Sequence, residues 1–324
     1  MIQTPVISVI MITYQHVDFI RQGIQAIMDQ DLDEPYELLL GEDQSTDGTR
    51  EICQEMAEKY PDKIRLFLRD RTEQISIMGE PSGRSNFIGS FKEVKGEFIA
   101  LCPGDDLWTD ASKLRKQVEL MRSDPEISVC FCNAEDVYMD GSRSDYVRSW
   151  LKTNSPKSIY HVEDIVTNNF IPSSGCMFRK DTFNGVPDEF YSVPSLDWYL
   201  HVRGAMRGKI KFIDEIMTIR RKHKGGMISM KRRLPKIYWT LETLSVLDKL
   251  TERNYHSKIQ NRMIELFKMA MDHAMTHDPK AIKEIQRKMD ALDVPYFNSR
   301  ERIKAFVIFY MPWISRFILR LRSV

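Results

Sequence analysis

"KGEFIALCPGDDLWTD" (95–110) takes an apolar run of strand length, EFIALC (97–102), through Pro103 and Gly104 into two adjacent carboxylates, Asp105 and Asp106. A short apolar run closed by Pro and Gly reads as a buried strand reaching its end. Like charges side by side repel, so the pair needs a reason. One reason is a solvated turn in which Asp106 or Asp110 merely caps the next helix. The other is a divalent cation, whose preference for oxygen ligands offsets the repulsion.

The same pattern recurs along the chain. Apolar runs VISVIMIT (6–13), YELLLG (36–41), KIRLFL (63–68) and ISVCFC (127–132) alternate with helix-like segments near 18–30, 48–59, 86–95 and 110–123. This alternation implies an α/β fold, a Rossmann-like, mostly parallel sheet flanked by helices. Active sites of such sheets gather at the C-terminal strand ends. Thr13 and Tyr14, Glu42 and Asp43, Asp70 and Arg71, and the Asp105–Asp106 pair all stand there. After residue 150 the pattern loosens through FIPSSGCMF (170–178), a helix near 195–207 and a strand-like segment at 209–223. From Met230 onward only helical spacing of Leu, Met and Ile is evident. The expected organisation is a catalytic domain over 1–228 and a C-terminal helical extension over 229–324.

At 324 residues and 42% hydrophobic, the chain can bury a sizeable core. Its 47 basic and 46 acidic residues leave +1, which excludes the general basic field that gathers nucleic acid. Residues 300–324 hold six Lys or Arg against one Glu, a local +5, so the preceding 299 residues carry −4. The five cysteines, Cys53, Cys102, Cys130, Cys132 and Cys176, lie mostly in apolar runs without a CxxC pair. That pattern fits a reducing compartment better than a disulfide framework. The N-terminus lacks a basic n-region and reads as a first strand, so a cytoplasmic location is expected.

LLLGEDQSTDGT (38–49) again runs a strand into acids, Glu42 and Asp43, with Asp47 or Thr46 placed to cap the next helix. Neither GxGxxG nor GxxxxGK[ST] occurs, so a nucleotide here would be held by carboxylates and a metal. Four stretches in order, ISVIMITYQHVDFI, GEDQSTDGTREI, KGEFIALCPGDDLWTDASKLRKQVE and LDWYL…IDEIMTIRRKHKGG, resemble the nucleotide-sugar glycosyltransferases of family 2, which have the GT-A fold. The resemblance covers roughly residues 5–225. It implies that Thr13 and Tyr14 border the nucleobase and that Asp43 binds base or ribose. It also implies that Asp105 and Asp106 stand for the D-x-D-type motif, which holds ribose and a Mn²⁺ or Mg²⁺ bridging the diphosphate. Which of the two holds the metal stays open. The chemistry asks for such a metal independently, because departure of a nucleoside diphosphate from sugar C1 develops negative charge that a cation neutralises. Many members carry an acid two residues before the pair, where this chain has Pro103.

Inverting transfer also needs a base for the attacking hydroxyl. The family's acid on a later helix corresponds to Asp197 in PSLDWYL (194–200); otherwise that charge merely favours a helix N-terminus. Trp198 beside it either stacks on an acceptor sugar or packs in the core. IRRKHKGG (219–226) reads as a flap over the diphosphate or as a solvated basic turn, and His223 resembles a family position near the metal or diphosphate. Arg71, Arg84 and Asn86, in or just after the 69–85 loop, are placed to reach the nucleotide unless that loop contacts the acceptor instead.

The apolar, basic tail (300–324) has an uncharged core of eleven residues, Ala305 to Ser315, interrupted by Pro312. A spanning helix needs about twenty. Contact with an anionic membrane surface is expected, the rival being a helix packed on the catalytic domain or on a second copy in a homo-oligomer. The functional expectation is a metal-dependent, inverting glycosyltransferase. It would move a sugar from a nucleoside diphosphate, a UDP-sugar being favoured, to a hydroxyl of a glycan or lipid-linked acceptor in bacterial envelope polysaccharide synthesis. The rivals are nucleotidyl transfer, disfavoured by the lack of a Gly- and Lys-rich N-terminal loop, and a non-catalytic glycan-binding or scaffold protein, which Pro103 encourages.

Overall fold

The apolar runs become strands buried on both faces. In order, β1 (Ile7–Thr13), α1 (Ile20–Met28), β2 (Tyr36–Glu42), α2 (Thr49–Lys59) and β3 (Ile64–Leu68) form the first half of the sheet. A hairpin of β4 (Ser76–Ile77) and β5 (Glu80–Pro81) precedes α3 (Arg84–Lys92), β6 (Phe98–Leu101), β7 (Leu107–Trp108), α4 (Lys113–Ser123) and β8 (Ile127–Tyr138). Then follow β9 (Arg143–Asp145), α5 (Tyr146–Leu151), β10 (Ile159–Tyr160), α6 (Val162–Ile165), β11 (Cys176–Arg179), α7 (Leu196–Arg207) and β12 (Lys209–Lys222). The computed structural model describes residues 4–223, 233–292 and 294, and the chain divides into two compact units, Met1–Lys231 and Arg232–Val324.

In the first unit the sheet order is β10-β12-β8-β11-β6-β1-β2-β3. Strands β6, β1, β2 and β3 are mutually parallel. The chain winds outward from β1 through β2 to β3, then returns to the other side of β1 with β6. That reversal opens a crevice beyond the C-terminal ends of β1 and β6, the usual place for a ligand in an open α/β sheet. All seven residues of β2 are buried, whereas β3 at the edge is only partly covered. Helix α1 presents Ile20, Ile24 and Ile27 to the core, the spacing of one helical face.

The loosened segment hides an antiparallel strand: β11 inserts between β6 and β8 and runs against both. Strand β8 also continues past the expected end at Cys132 to Tyr138. Beside it β12 runs parallel, with register breaks between Ile213 and Ile216 and between Ile216 and Thr218. Just past the second break, Thr218 and Ile219 pair with Trp108 and Leu107 of β7.

The second unit is helical over its described residues: α8 (Arg233–Leu250), α9 (His256–His277) and α10 (Ile282–Ala291). Leu241, Leu244 and Leu247 of α8 and Ile259, Phe267 and Ala270 of α9 are fully buried. Among the described residues no helix is long and apolar enough to cross a membrane. The basic tail lies outside the described residues, as do Lys224–Gly226 of the expected flap and the boundary at 228.

Gly96, just before β6, passes tightly over β1. Its N–H donates to Ser8 Oγ (2.9 Å), which donates in turn to Glu37 Oε1 (2.6 Å). A Cβ at Gly96 would stand 2.5 Å from Ser8 N and 2.7 Å from Ile7 C, backbone atoms that cannot step aside. Gly96→Ala is therefore expected to destabilise the fold by about 1–3 kcal/mol, the usual range for overpacking. Urea unfolding checks this: the midpoint should fall with the m-value unchanged. An unshifted midpoint would show that β1 and β6 separate freely.

Candidate active site

The loop after β6 folds against the end of β1. Cys102 N donates to Ile10 O (3.0 Å) and Gly104 N to Ile12 O (3.1 Å), and Asp106 N closes a turn on Pro103 O (3.0 Å). Gly104 allows this approach, since a Cβ there would lie 2.7 Å from Thr13 Cβ and 3.0 Å from His16 Nδ1. The two adjacent acids then part. His223, one residue past β12, donates from Nε2 to Asp105 Oδ2 (3.1 Å), and Arg221 Nη1 donates to the Asp105 carbonyl (3.2 Å). One donor atom from each of His16, Asp105 and His223 lies within 4.8 Å of the other two. Asp106 is outside this cluster: it is 7% exposed and lies near the Ser174 hydroxyl, which itself donates to Thr218 Oγ1 (3.5 Å). Neither Asp106 nor Asp110 caps α4, whose first flanking residue is Ser112; Asp110 accepts from Ser112 N (2.8 Å) and Oγ (2.6 Å) in the turn before the helix.

The electrostatics follow that division. Burial alone would raise the Asp105 carboxyl, but the His223 hydrogen bond and the nearby His16 hold it below the ordinary carboxylate value. Burial and the neighbouring Asp105 charge push Asp106 the other way, against the pull of Arg220 and Lys222. The hydrogen bond to Asp105 raises His223, while burial lowers His16. A carboxylate joined to an imidazole at the crevice mouth is a donor set that suits Mn²⁺.

On the β2 side, Arg71 joins Asp43 and Tyr14. Its Nη1 donates to Asp43 Oδ2 (2.9 Å), and its guanidinium stacks 3.7 Å from the centre of the Tyr14 ring. Burial raises the Asp43 carboxyl, with Arg71 opposing it. Thr13, Tyr14, Asp43 and Arg71 thus meet at one flank of the crevice. Glu42 belongs to the fold: fully buried, it accepts from Gln44 N (3.2 Å) and Ser45 N (2.6 Å) and pairs with Arg50. Asp47 accepts from Thr49 N (3.0 Å) and Val17 N (3.1 Å), a cap that also ties the two loops together.

Two residues expected at the nucleotide sit elsewhere. Asn86 is 1% exposed and donates to Gly41 O (2.9 Å), locking α3 onto β2. Arg84, also buried, donates to the carbonyls of Phe190 (2.5 Å), Val193 (2.8 Å) and Pro194 (3.2 Å). Burial brings its guanidinium down to about 10 against the opposing charge of Asp197. The physical reason is the same for both: each satisfies backbone carbonyls where a helix or loop must be fixed.

Asp197 stands in the first turn of α7. Its Oδ2 accepts from Asn169 Nδ2 (3.0 Å) and Ser173 Oγ (3.2 Å). Because a carboxylate can only accept, the Asn169 amide faces it with NH₂ and turns its carbonyl toward His201 Nδ1, 3.0 Å away. His201 therefore carries its proton on Nδ1. It is fully buried, stacks on Phe178 (5.7 Å, 11°), and its Nε2 has no hydrogen-bond partner among the described residues. Trp198 is core, donating to Ile165 O (2.7 Å). Consecutive serines of FIPSSGCMF thus stand by both acids, Ser173 bonding Asp197 and Ser174 lying near Asp106. Arg220 also feels the charge of both acids while pairing with Asp136 (3.3 Å).

Sequence reasoning missed His16, Asn169, Ser173, Ser174 and Arg220. Ser173 and Ser174 lie in FIPSSGCMF, Arg220 in IRRKHKGG and His16 in ISVIMITYQHVDFI, but the acids they meet, Asp197, Asp106 and Asp105, are distant in sequence.

The buried His201 sets a pH dependence. Burial pushes its imidazole down to about 4 from 6.5, against the Asp197 charge. Above pH 6.5 it is neutral folded or unfolded and has no effect on the balance. As pH falls below 6.5 the unfolded chain takes up a proton that the folded chain refuses until about pH 4, so stability is lost across that window. The full loss is about 3 kcal/mol. His201→Asn, whose amide can replace the Nδ1–H, is expected to remove this share of the acid sensitivity. Denaturation from pH 7 to pH 4 checks it, and parallel stability curves for the two proteins would refute it.

A family model, "Glycosyl transferase family 2", matches residues 8–185. An uncharacterized protein of Mycobacterium tuberculosis is 32% identical over 223 residues, 68% of this chain and 60% of the relative; the chain thus spans about three-fifths of that protein's length. The mannosyltransferase PcManGT from Pyrobaculum calidifontis, solved with GDP-Man and Mn²⁺, superposes with a TM-score of 0.57 at 17% identity over 95% of this chain and 85% of that one. Staphylococcus aureus TarS 1–349 with UDP-GlcNAc gives 0.55 at 15% identity over 88% and 78%. Fold, strand-end acids and family match agree: the chain belongs to glycosyl transferase family 2 and has the GT-A fold.

Proposed function

We propose that the protein transfers a sugar from a nucleoside diphosphate, with UDP favoured, to a hydroxyl of a glycan or lipid-linked acceptor, with inversion and with a divalent metal. The observation that carries this reading is the meeting of Asp105 and His223 at the β6 and β12 ends, with Tyr14, Asp43 and Arg71 gathered at the ends of the neighbouring strands β1, β2 and β3. Tyr14 offers a ring face to the base, and Asp43, held by Arg71, offers an acceptor to a base or ribose donor. Asp105 and His223 would hold Mn²⁺ or Mg²⁺. Such an ion supplies charge neutralisation to the departing diphosphate. Asp106, facing inward to Ser174, supports the loop from behind, so the metal role falls to Asp105. Complexes of structural neighbours with GDP-Man and Mn²⁺ and with UDP-GlcNAc support a donor of this class.

Asp197 completes the reaction. The acceptor oxygen attacks sugar C1 as the bond from C1 to the diphosphate oxygen breaks, and the hydroxyl proton passes to the Asp197 carboxylate. Asn169 and Ser173 fix the oxygen they bond, leaving the other free to take the proton. Envelope polysaccharide synthesis is the setting that the family, not any catalytic residue, supports.

Asp197→Asn keeps the shape and removes the proton acceptor. Turnover should fall by roughly 10²- to 10⁴-fold with donor affinity nearly unchanged. Weakened donor binding with intact turnover would instead make Asp197 a donor ligand. Asp105→Asn is expected to abolish the Mn²⁺ dependence of UDP or GDP binding in calorimetric titrations while the thermal transition survives. Unchanged metal-dependent affinity would remove Asp105 from the metal site.

A further inference from the structure

We infer that His16 is a third protein ligand of the metal, so that the site favours a borderline transition ion such as Mn²⁺ or Co²⁺ over Mg²⁺ and holds it before any nucleotide arrives. The inference rests on the reading of Asp105 and His223 as metal ligands and deepens it. Among the described residues, His16, Asp105 and His223 are the one group of three whose donor atoms all lie within 4.8 Å of one another. They come from three different strand ends, β1, β6 and β12, so no local sequence pattern brings them together. Donor atoms around one ion at about 2.1 Å lie about 3.0 Å apart at right angles and about 3.4 Å apart tetrahedrally; the Asp105–His223 pair already has that spacing at 3.1 Å, and His16 closes on it from within 4.8 Å.

The surroundings of His16 are those of a positioned ligand. A ligating imidazole needs its second nitrogen oriented by a partner. Thr13 Oγ1 lies 3.1 Å from His16 Nδ1, and the His16 backbone N–H donates to Thr49 Oγ1 (2.8 Å). Gly104 leaves room for that ring where a Cβ would stand 3.0 Å from Nδ1. Phe19 packs against both imidazoles, 6.4 Å from the His16 ring and 5.0 Å from the His223 ring, and the two imidazoles meet edge to face at 5.9 Å. Mg²⁺ demands oxygen ligands in near-ideal octahedral array, whereas first-row transition ions also take imidazole nitrogen, Mn²⁺ the most weakly of the Irving–Williams order and Co²⁺ more strongly. Three protein ligands also remove the need for diphosphate oxygens to complete a minimal set.

The test is Mn²⁺ binding to the full chain without nucleotide, read from the electron paramagnetic resonance of free Mn²⁺, with Mg²⁺ as competitor. Wild type should bind one Mn²⁺ that Mg²⁺ displaces poorly, and pulsed resonance should detect two coordinated nitrogens. His16→Ala should weaken Mn²⁺ binding at least tenfold, since loss of even an outer partner costs 10- to 100-fold, and should leave one nitrogen. His16→Asn, which keeps a hydrogen-bonding group beside Thr13, gives the same comparison if the alanine variant misfolds. Wild-type affinity with two nitrogens in a folded His16 variant would overturn the inference while leaving Asp105 and His223 as ligands. So would Mn²⁺ binding by wild type that requires UDP and is indifferent to His16. No Mn²⁺ binding by wild type, with or without UDP, would overturn both the inference and the metal-dependent reading beneath it.

Discussion

A two-residue strand governs the site. Leu107 and Trp108, immediately after the acid pair, add to β12 at Ile219 and Thr218, and Thr109 N donates to Met217 O (2.9 Å). This pairing lays the end of β12 beside the loop after β6, although more than a hundred residues separate them in sequence. Arg220, Arg221, Lys222 and His223 arrive together as a consequence. Trp108 anchors the pairing from below, donating to Ser174 O (2.8 Å) with the buried Lys113 ammonium 3.9 Å from its ring centre.

That arrival answers the repulsion between Asp105 and Asp106. Two unit charges about 4 Å apart interact by about 4 kcal/mol at an effective dielectric of 20, enough to distort a loop if nothing opposes it. His223 and Arg221 hold Asp105 at the crevice mouth, while Arg220 and Lys222, both paired with Asp136 at 3.3 Å, act on Asp106 from behind. The cations oppose the burial and repulsion that raise Asp106 without cancelling them, and the placement of Asp105 near two imidazoles leaves it suited to a further positive ion. On the opposite side of the site the hydrogen bonds to Asp197 come from the neutral side chains of Asn169 and Ser173, while Arg84 and Arg220 feel its charge from further off.

The parallel part of the fold was legible because strands covered on both faces must be continuously apolar, and β1, β2, β3 and β6 lie within a residue of the runs read from the sequence. Strand β11 was not legible as such, since four residues between loops carry no periodicity of their own. In the candidate site, Asp43, Asp105 and Asp197 were singled out because strand ends and a family resemblance pointed to them. His16, Ser174 and Arg220 depend on strand pairings that only the folded sheet displays. Asn86 and Arg84 were read as ligands because a polar residue near a crevice invites it, and the carbonyl bonds each makes in the fold had no signal in the sequence. Trp198 was left open between stacking and core, and its indole bond to Ile165 assigns it to the core.

The proposed reaction requires the crevice beyond β1 and β6 to seat a nucleoside diphosphate with its cation at Asp105. A crystal of the chain grown with UDP and Mn²⁺, measured at the manganese absorption edge, tests this most directly. The expected result is a single anomalous peak within coordination distance of the Asp105 carboxylate and the His223 ring, with the base beside Tyr14 and Asp43. An ordered nucleotide elsewhere, or one in the crevice with no manganese at Asp105, would contradict it.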